Sequence, residues 1–318
     1  MMSAPTRREL LAARGPKNPV DRRRPYAVLV EPERNAAGQM EDVATIFLTN
    51  KECPFSCIYC DLWKNTTDER VELGDIPAQI DYALSRLPPA KTIKLYNSGN
   101  FFDPQAIPPE DYPAIISRMK GFERVIVENH PKLVSEECVR FREQLGTELE
   151  IAMGLETASA TLPYLNKQMT KYDFHNATLF LRQREIHVRA FVLLLPPLIQ
   201  AAEAIHWAIQ SVDFALQAGA ECVAIIPTRG GNGLMEELAA AGRFSRPTLE
   251  MVEESLAAAF LLPWKEKTGA RVFADLWDLE KLYSCPACGP KRKERLRQMN
   301  NQQQWLPEIP CTCLKTEN

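Results

Sequence analysis

Short apolar runs alternate with segments of helical periodicity along most of the chain, and this alternation predicts a parallel α/β fold. Six runs rich in Val, Ile and Leu have the length and composition of buried strands. They cover 43–49, 92–98, 124–129, 150–157, 187–195 and 221–228. An amphipathic segment follows each run, near 75–86, 110–120, 135–145, 171–185, 202–217 and 248–263.

Strand-then-helix units in series predict a parallel sheet with right-handed crossovers. A closed eight-stranded barrel needs a longer chain, so we expect residues 41–265 to form a partial (β/α)6 barrel of the TIM type. An open doubly wound sheet is the alternative that the pattern leaves open. Residues 1–40 hold five prolines among arginines and predict an extended basic arm. Residues 266–318, with a strand at 270–276, predict a short Cys-rich extension.

Composition changes this prediction little. Of the 318 residues, 45% are hydrophobic and 25% are charged, as in ordinary globular domains. No apolar run has the length of a membrane span. The first residues include Arg7, Arg8 and Arg14, which do not fit the apolar core of a signal peptide. We therefore expect a cytoplasmic protein with no membrane partner.

The net charge of −3 conceals an uneven distribution. Residues 1–24 carry seven Lys or Arg and two acids, and residues 291–297 carry a net charge of +4. Basic ends on an acidic body are typical of a protein that contacts nucleic-acid phosphate. A solvated tail and a solvated helix face explain the same pattern.

Three cysteines follow the first predicted strand with C-x3-C-x2-C spacing: Cys53, Cys57 and Cys60. Four-iron clusters are normally held by four thiolates, so a compact set of three leaves one iron open to chelate S-adenosylmethionine (SAM). A zinc knuckle or buried thiols are the alternatives. Zinc sites usually have four ligands in two pairs, and no fourth ligand follows closely.

With Tyr59 before the last cysteine, this triad resembles the signature of the radical SAM superfamily. The resemblance implies a [4Fe–4S] cluster that reduces SAM to a 5′-deoxyadenosyl radical. It also implies a reductant of the ferredoxin or flavodoxin type. In barrels of parallel strands such chemistry lies on the loops after the strands.

The other candidate residues lie at the ends of later predicted strands. Residues 97–100, Asn-Ser-Gly-Asn, resemble the superfamily segment, usually Gly-Gly-Glu, that receives the amino group of SAM, although they are also ordinary turn residues. We predict that SAM contacts Gly99, Asn100, Glu128 and Glu156. For the substrate we predict weaker contacts from Lys167 and Arg229, where a surface lysine and a flexible loop are the alternatives.

Four further cysteines form two close pairs near the end of the chain: Cys285 and Cys288, then Cys311 and Cys313. Two such pairs predict a tetrahedral zinc site or an auxiliary iron–sulfur cluster; unligated thiols are the third interpretation. A metal there would also hold the basic helical stretch of 291–297 where it can meet RNA. Cys138 and Cys222 stand alone and are typical of core residues.

Several motifs together resemble the radical SAM subunit of archaeosine synthase: the triad, Ser-Gly-Asn-Phe-Phe-Asp at 98–103, Leu-Leu-Leu-Pro-Pro at 193–197 and the C-terminal cysteines. Gly-Leu-Glu-Thr at 154–157 also resembles the tRNA-acting group that contains the elongator catalytic subunit and the methylthiotransferases. The resemblance implies a lyase or transferase acting on a modified tRNA base by C–N cleavage, with a partner tRNA-modifying enzyme. A radical SAM enzyme for a small molecule or peptide, and a non-catalytic metal-stabilised RNA-binding protein, are the alternatives.

Overall fold

The structure is a computed structural model that describes residues 5–311 and Cys313. The ends of the predicted arm and extension, residues 1–4, 312 and 314–318, lie outside the described residues. Eight strands form a single curled sheet whose order follows the chain. They are β1 (Ala27–Arg34), β2 (Met40–Phe47), β3 (Thr92–Tyr96), β4 (Arg124–Glu128), β5 (Glu148–Glu156), β6 (His187–Leu194), β7 (Cys222–Pro227) and β8 (Arg271–Ala274).

The first strand pairs antiparallel with β2, and every later pairing is parallel. A doubly wound sheet requires a reversal of strand order, and the order here has none. The predicted partial barrel is therefore confirmed, and the doubly wound alternative is wrong.

The described helices are α1 (Arg7–Ala13), α2 (Asp75–Leu84), α3 (Tyr112–Met119), α4 (Glu136–Leu145), α5 (Lys171–Arg182), α6 (Ala204–Ala218), α7 (Leu234–Ala240), α8 (Leu249–Phe260), α9 (Pro263–Thr268) and α10 (Gly289–Gln302). All six predicted strands and the six helices predicted after them are present. Within the described part of the chain, no helix is long and apolar enough to cross a membrane.

The prediction of an extended arm over residues 1–40 is wrong for two stretches. Residues 7–13 form α1, which begins with a capping box between Thr6 and Glu9. Residues 27–34 form β1, and Pro32 is tolerated because β1 is an edge strand. At the other edge of the sheet, the predicted strand at 270–276 is β8, which continues the barrel beyond the predicted boundary.

Alternation along the strands separates two sides of the sheet. On β3, Ile93 and Leu95 belong to the main hydrophobic core that the helices cover, whereas Lys94 points into the barrel. On β6, Val188 and Ala190 belong to that core, and Arg189 points into the barrel. The core therefore lies outside the sheet, and the barrel interior is a separate polar space.

Paired charges fill the interior near the N-terminal ends of the parallel strands. Arg189 reaches Glu33 at 2.6 Å and Glu150 at 2.5 Å, and Lys94 reaches Glu33 at 2.6 Å. Phe47, Tyr96 and Phe191 form the next layer, with ring centroids 6.1 and 6.2 Å apart. Because these two layers occupy the lower interior, a ligand must bind above them, at the C-terminal ends of the strands. We call that end the barrel mouth.

Helix α10 lies against both edge strands. The Asn300 side chain accepts a hydrogen bond from the amide of Ala274 and donates one to its carbonyl, both at 2.9 Å. Gln303 does the same for Val272, at 2.8 and 2.9 Å. The amide side chains satisfy backbone groups that an edge strand otherwise leaves unpaired.

Candidate functional site

The loop that carries Cys53, Cys57 and Cys60 follows β2 at the barrel mouth. Two asparagines hold its backbone. Asn166 donates to the carbonyl of Ser56 at 2.8 Å, and Asn232 donates to the carbonyls of Ile58 and Cys60 at 2.8 and 3.1 Å. The loop conformation therefore depends on segments more than one hundred residues away, and sequence analysis did not identify Asn232.

Electrostatic conditions around the triad favour neutral thiols when nothing is bound. Burial raises the pKa of Cys53, raises that of Cys57 to about 11, and raises that of Cys60 further. Cys53 also raises the pKa of Cys57, and both of these thiols raise the pKa of Cys60, so all three interact electrostatically. A bound metal must displace these protons. The ammonium of Lys167 assists, because it lowers the pKa of Cys53 and Cys57.

The segment after β3 lies directly against the first cysteine of the triad. Asn100 Nδ2 donates to Cys53 Sγ at 3.3 Å. A Cβ atom on Gly99 would lie 3.5 Å from Cys53 Cβ, so this backbone passes close to the triad. The structure therefore places Gly99 and Asn100 beside the triad, in the same site.

Glu128 ends β4 and turns toward the same segment. Its carboxylate accepts from the backbone amide of Asn97 at 3.0 Å. Burial raises the pKa of Glu128 to about 7, although hydrogen bonds from the amides of Asn97 and Ser98 lower it. A carboxyl that no cation fully compensates is suited to the positive charge of a bound ligand.

Glu156 and Lys167 form a buried ion pair beside the triad, with 2.7 Å between Oε1 and Nζ. A bulge between Gly154 and Glu156 interrupts the pairing of β5 with β6, and Glu156 has a φ of +67°. The bulge directs the carboxylate back over Gly154, where a Cβ would lie 1.9 Å from Glu156 Oε1. Burial lowers the pKa of Lys167, but Glu156 and Cys57 outweigh burial and raise it.

Asn97 is a candidate that sequence analysis missed. It is fully buried, and neither amide atom of its side chain has a hydrogen-bond partner. The nitrogen lies 3.9 Å from the Cβ position of Gly99, beside the triad. Buried polar atoms without partners are rare and costly, so this amide marks a position where a ligand belongs.

His130 was also missed. It stacks on Phe55 of the triad loop at a centroid distance of 3.9 Å. Its Nδ1 accepts from the amide of Lys132 at 3.1 Å, so Nε2 carries the proton and donates to the carbonyl of Lys167 at 3.0 Å. Burial lowers the pKa of His130 to about 3 and keeps the ring neutral.

Helix α1 covers the triad loop from outside. Leu10 packs with Ile58 of that loop and with Leu234 of α7 in a second small core. Arg14 pairs with Glu52 at 2.5 Å, and Lys17 pairs with the same carboxylate at 3.0 Å. Part of the predicted basic arm is therefore bound to the barrel mouth, and Arg14 and Lys17 are not available to a nucleic acid.

Arg229 lies at the rim of the barrel mouth, and its guanidinium already makes hydrogen bonds within the protein. Its Nη2 donates to Asp275 Oδ2 at 2.5 Å and to the carbonyl of Trp277 at 2.7 Å. The predicted substrate contact from this side chain stays a prediction. Lys167, the other predicted substrate contact, is the buried partner of Glu156 and faces the triad.

The four C-terminal cysteines form a group of their own. The sulfur atoms of Cys285, Cys288, Cys311 and Cys313 all lie within 4.8 Å of one another, a group that can hold a metal ion. The basic helical stretch of 291–297 lies in α10. Two of its arginines are buried, because Arg292 pairs with Glu250 and Glu253, and Arg295 pairs with Glu253. These two side chains are therefore not exposed for contact with RNA, and RNA binding by the rest of the stretch stays a prediction.

The triad site fits an iron–sulfur cluster with a polar cofactor beside it. Three thiols on one loop supply the sulfur ligands, the backbone at Gly99 passes close to Cys53, and the Asn97 amide has unused hydrogen-bonding capacity. An iron left without a protein thiolate can take a ligand with nitrogen and oxygen donors. The residues present are consistent with the predicted cofactors.

The chain is similar to two archaeal proteins in sequence. It is 23% identical to an uncharacterised protein of Methanocaldococcus jannaschii, over 92% of this chain and 86% of that protein. It is 29% identical to archaeosine synthase subunit beta of Methanosarcina acetivorans, over 64% of this chain and 61% of that subunit. No family model matches the chain.

Among solved structures, the chain resembles Streptococcus suis SuiB, a radical SAM enzyme. The match has a TM-score of 0.53 and 10% identity, and covers 76% of this chain and 51% of SuiB. One SuiB structure contains S-adenosylmethionine. The resemblance to the radical SAM superfamily that the sequence predicts is confirmed, and the chain has the partial barrel of those enzymes.

Proposed function

We propose that this chain is a radical SAM enzyme whose cluster is held by Cys53, Cys57 and Cys60. The observation that carries the proposal is the shared location of chemically distinct groups at one barrel mouth. Three mutually facing thiols lie beside the unpartnered amide of Asn97 and the close backbone at Gly99. A structural zinc knuckle does not require an unpartnered amide or a close backbone segment beside its thiols.

Cys53, Cys57 and Cys60 would hold a [4Fe–4S] cluster, which would supply the electron for reductive cleavage of SAM. The chain's own residues bind and orient the reactants. The backbone at Gly99 and the amides of Asn97 and Asn100 offer polar groups close to Cys53. Glu128 and Glu156 supply carboxylates for the cationic cofactor, and Lys167 stabilises the thiolates.

Anaerobic reconstitution tests the proposal. The protein is loaded with iron and sulfide, reduced, and given SAM, and 5′-deoxyadenosine is measured. We expect brown protein with a reducible EPR signal and product formation. Cys57→Ser should abolish both, whereas Cys138→Ser, a change at a buried cysteine on α4, should leave both intact. Equal product from Cys57→Ser and wild type would refute the assignment.

For the substrate, we propose a modified base in tRNA, with C–N cleavage of a lysine-modified 7-deazaguanine as the reaction. The support is the similarity to a protein named archaeosine synthase subunit beta, together with the motifs shared with that family. The enzyme would then be a lyase. It would work in the cytoplasm, after a partner enzyme has attached the lysine and with a ferredoxin- or flavodoxin-type reductant.

Basic side chains that remain exposed identify the surface to test for RNA binding. They include Arg7, Arg8, Arg23, Lys291 and Arg297. We expect changing Arg7, Arg8 and Arg23 to Gln to weaken tRNA binding and to reduce its dependence on salt, because phosphate contacts release counterions. The control changes Lys120 and Arg140, which are exposed on the outer face near α3 and α4. Salt-independent behaviour, with deoxyadenosine formed on a peptide or small molecule, would favour the alternative substrate classes.

A further inference from the structure

The spacing of the C-terminal sulfur atoms shows how many metal ions fit between them. All four lie within 4.8 Å of one another, and Cys288 Sγ lies 3.7 Å from Cys313 Sγ. A tetrahedral ion with metal–sulfur bonds of about 2.3 Å places its sulfurs about 3.8 Å apart. Each thiolate of a four-iron cluster binds a different iron, which separates the sulfurs by about 6 Å. A disulfide brings two sulfurs to about 2.0 Å. The observed distance matches one ion.

We propose that Cys285, Cys288, Cys311 and Cys313 bind a single Zn²⁺ in a closed tetrahedral site. A four-thiolate tetrahedron selects zinc or a mononuclear iron. Four protein ligands leave no open position for a substrate or water, so the ion has a structural role. This proposal does not depend on the chemistry proposed at the barrel mouth.

Local backbone geometry already arranges the first pair of ligands. The carbonyl of Cys285 accepts from the amide of Gly289 at 2.9 Å, and the carbonyl of Cys288 accepts from the amide of Arg292 at 3.0 Å. The pair therefore forms the entry to α10. At Gly289 a Cβ would lie 2.3 Å from the ring of Tyr283, so only glycine permits this turn to pack against that ring.

The second pair is brought back by α10 itself. The guanidinium of Arg295 donates to the carbonyls of Leu306 and Pro307 at 2.6 and 2.7 Å. The returning segment then places Cys311 and Cys313 beside the start of the helix. A zinc ion would thus join the beginning of α10 to the segment that follows its end.

Zinc binding at the start of α10 should also affect strand β8 at the edge of the barrel. Asn300 lies on α10 and Gln303 directly follows it, and their side chains satisfy the backbone of β8 at Ala274 and Val272. An ion that fixes α10 therefore also protects the open edge of the sheet. We expect zinc to stabilise the packing of α10 against the two edge strands, β1 and β8.

Metal analysis of the intact protein tests this. In a variant with Cys53, Cys57 and Cys60 all changed to Ala, we expect one zinc per chain and no iron. Adding Cys288→Ser should remove the zinc, whereas adding Cys222→Ala, at a buried cysteine on β7, should retain it. An iron–sulfur EPR signal in the triad variant, a red mononuclear iron centre, or absence of any metal would each overturn the proposal.

Two measurements cover the case in which Cys288→Ser does not fold. Zinc-edge X-ray absorption of the triad variant should show four sulfur neighbours at about 2.3 Å, and oxygen or nitrogen neighbours would contradict the site. Chelation of zinc should then accelerate hydrogen exchange at 272–274 and 289–302 at least tenfold, with exchange in β3 and β4 unchanged. Failure of SAM cleavage in wild type would alter neither result, so the two proposals fail separately.

Discussion

The buried pair of Glu156 and Lys167 provides a quantitative test of the site. Their side chains are 7% and 10% exposed, and 2.7 Å separates the charged atoms. Removing one partner from a buried pair leaves an uncompensated charge and costs about 3–5 kcal/mol. Removing both leaves none and should cost much less. Lys167→Met, Glu156→Gln and the double variant therefore form a double-mutant cycle with a coupling energy of about 3 kcal/mol.

This energy translates into a measurable shift. With a urea dependence of about 3 kcal/mol per M for a chain of this size, each single variant should lower the unfolding midpoint by about 1 M. Circular dichroism under anaerobic conditions, with equal metal content in all samples, measures the midpoint. The control pair is Lys281 and Asp278, which have the same 2.7 Å separation but are 63% and 33% exposed.

The matched variants Lys281→Met and Asp278→Asn should shift the midpoint by less than about 0.3 M, because exposed pairs contribute about 1 kcal/mol or less. If the Glu156 and Lys167 variants behave like this control, or if their effects simply add, water reaches the pair and the buried geometry is wrong. A coupling energy near 3 kcal/mol supports a dry site beside the triad.

Three further changes test other parts of the mouth. The pKa of His130 is about 3 when folded, below its unfolded value of 6.5, so its stabilisation is complete above pH 6.5 and lost as pH falls. The free energy of unfolding of wild type minus that of His130→Gln, measured by urea titration, should decline by roughly 1.4 kcal/mol per pH unit below 6.5. Leu10→Ala should detach α1, increasing proteolysis before residue 20 and lowering iron retention, whereas Leu11→Ala, at an exposed neighbour, should do neither. Asn232→Ala should reduce the iron content per chain after reconstitution, because the triad loop loses a hydrogen bond; Asn176→Ala, at an exposed asparagine, is the control. Unchanged iron content would show that the loop conformation does not depend on Asn232.

The sequence predicted the parallel strands well because each is a continuous apolar run that is buried on at least one face. Strand β1 escaped prediction because it is an edge strand with Pro32 and alternating charge, and its pairing depends on β2. The burial of Arg292 and Arg295 also escaped prediction. Their partners Glu250 and Glu253 lie about forty residues earlier, and only tertiary packing brings α8 beside α10. A local run of charge does not reveal such pairing.

The sequence could predict those parts of the candidate site that depend on residues close together in the chain or on the ends of predicted strands. The triad spacing is visible in eight residues, and the strand-end rule places Gly99, Glu128 and Glu156 near it. Asn97 could not be distinguished from an ordinary turn residue, because the signal is its burial without a partner. The support that Asn232 gives to the loop is likewise a long-range contact.

Buried polar atoms without hydrogen-bond partners are unevenly distributed in this barrel. In the lower interior, Arg189, Glu33 and Glu150 satisfy one another, as a buried network must. Around the mouth, by contrast, the described residues include buried polar atoms without partners on Asn50, Ser56, Trp63 and Asn97; the others are on Thr178 and Ser255, in outer helices. Each such atom costs about 1–3 kcal/mol. Among the described residues, the charges named in the lower interior are paired, whereas neutral polar atoms near the mouth lack partners, an arrangement expected where a polar ligand binds.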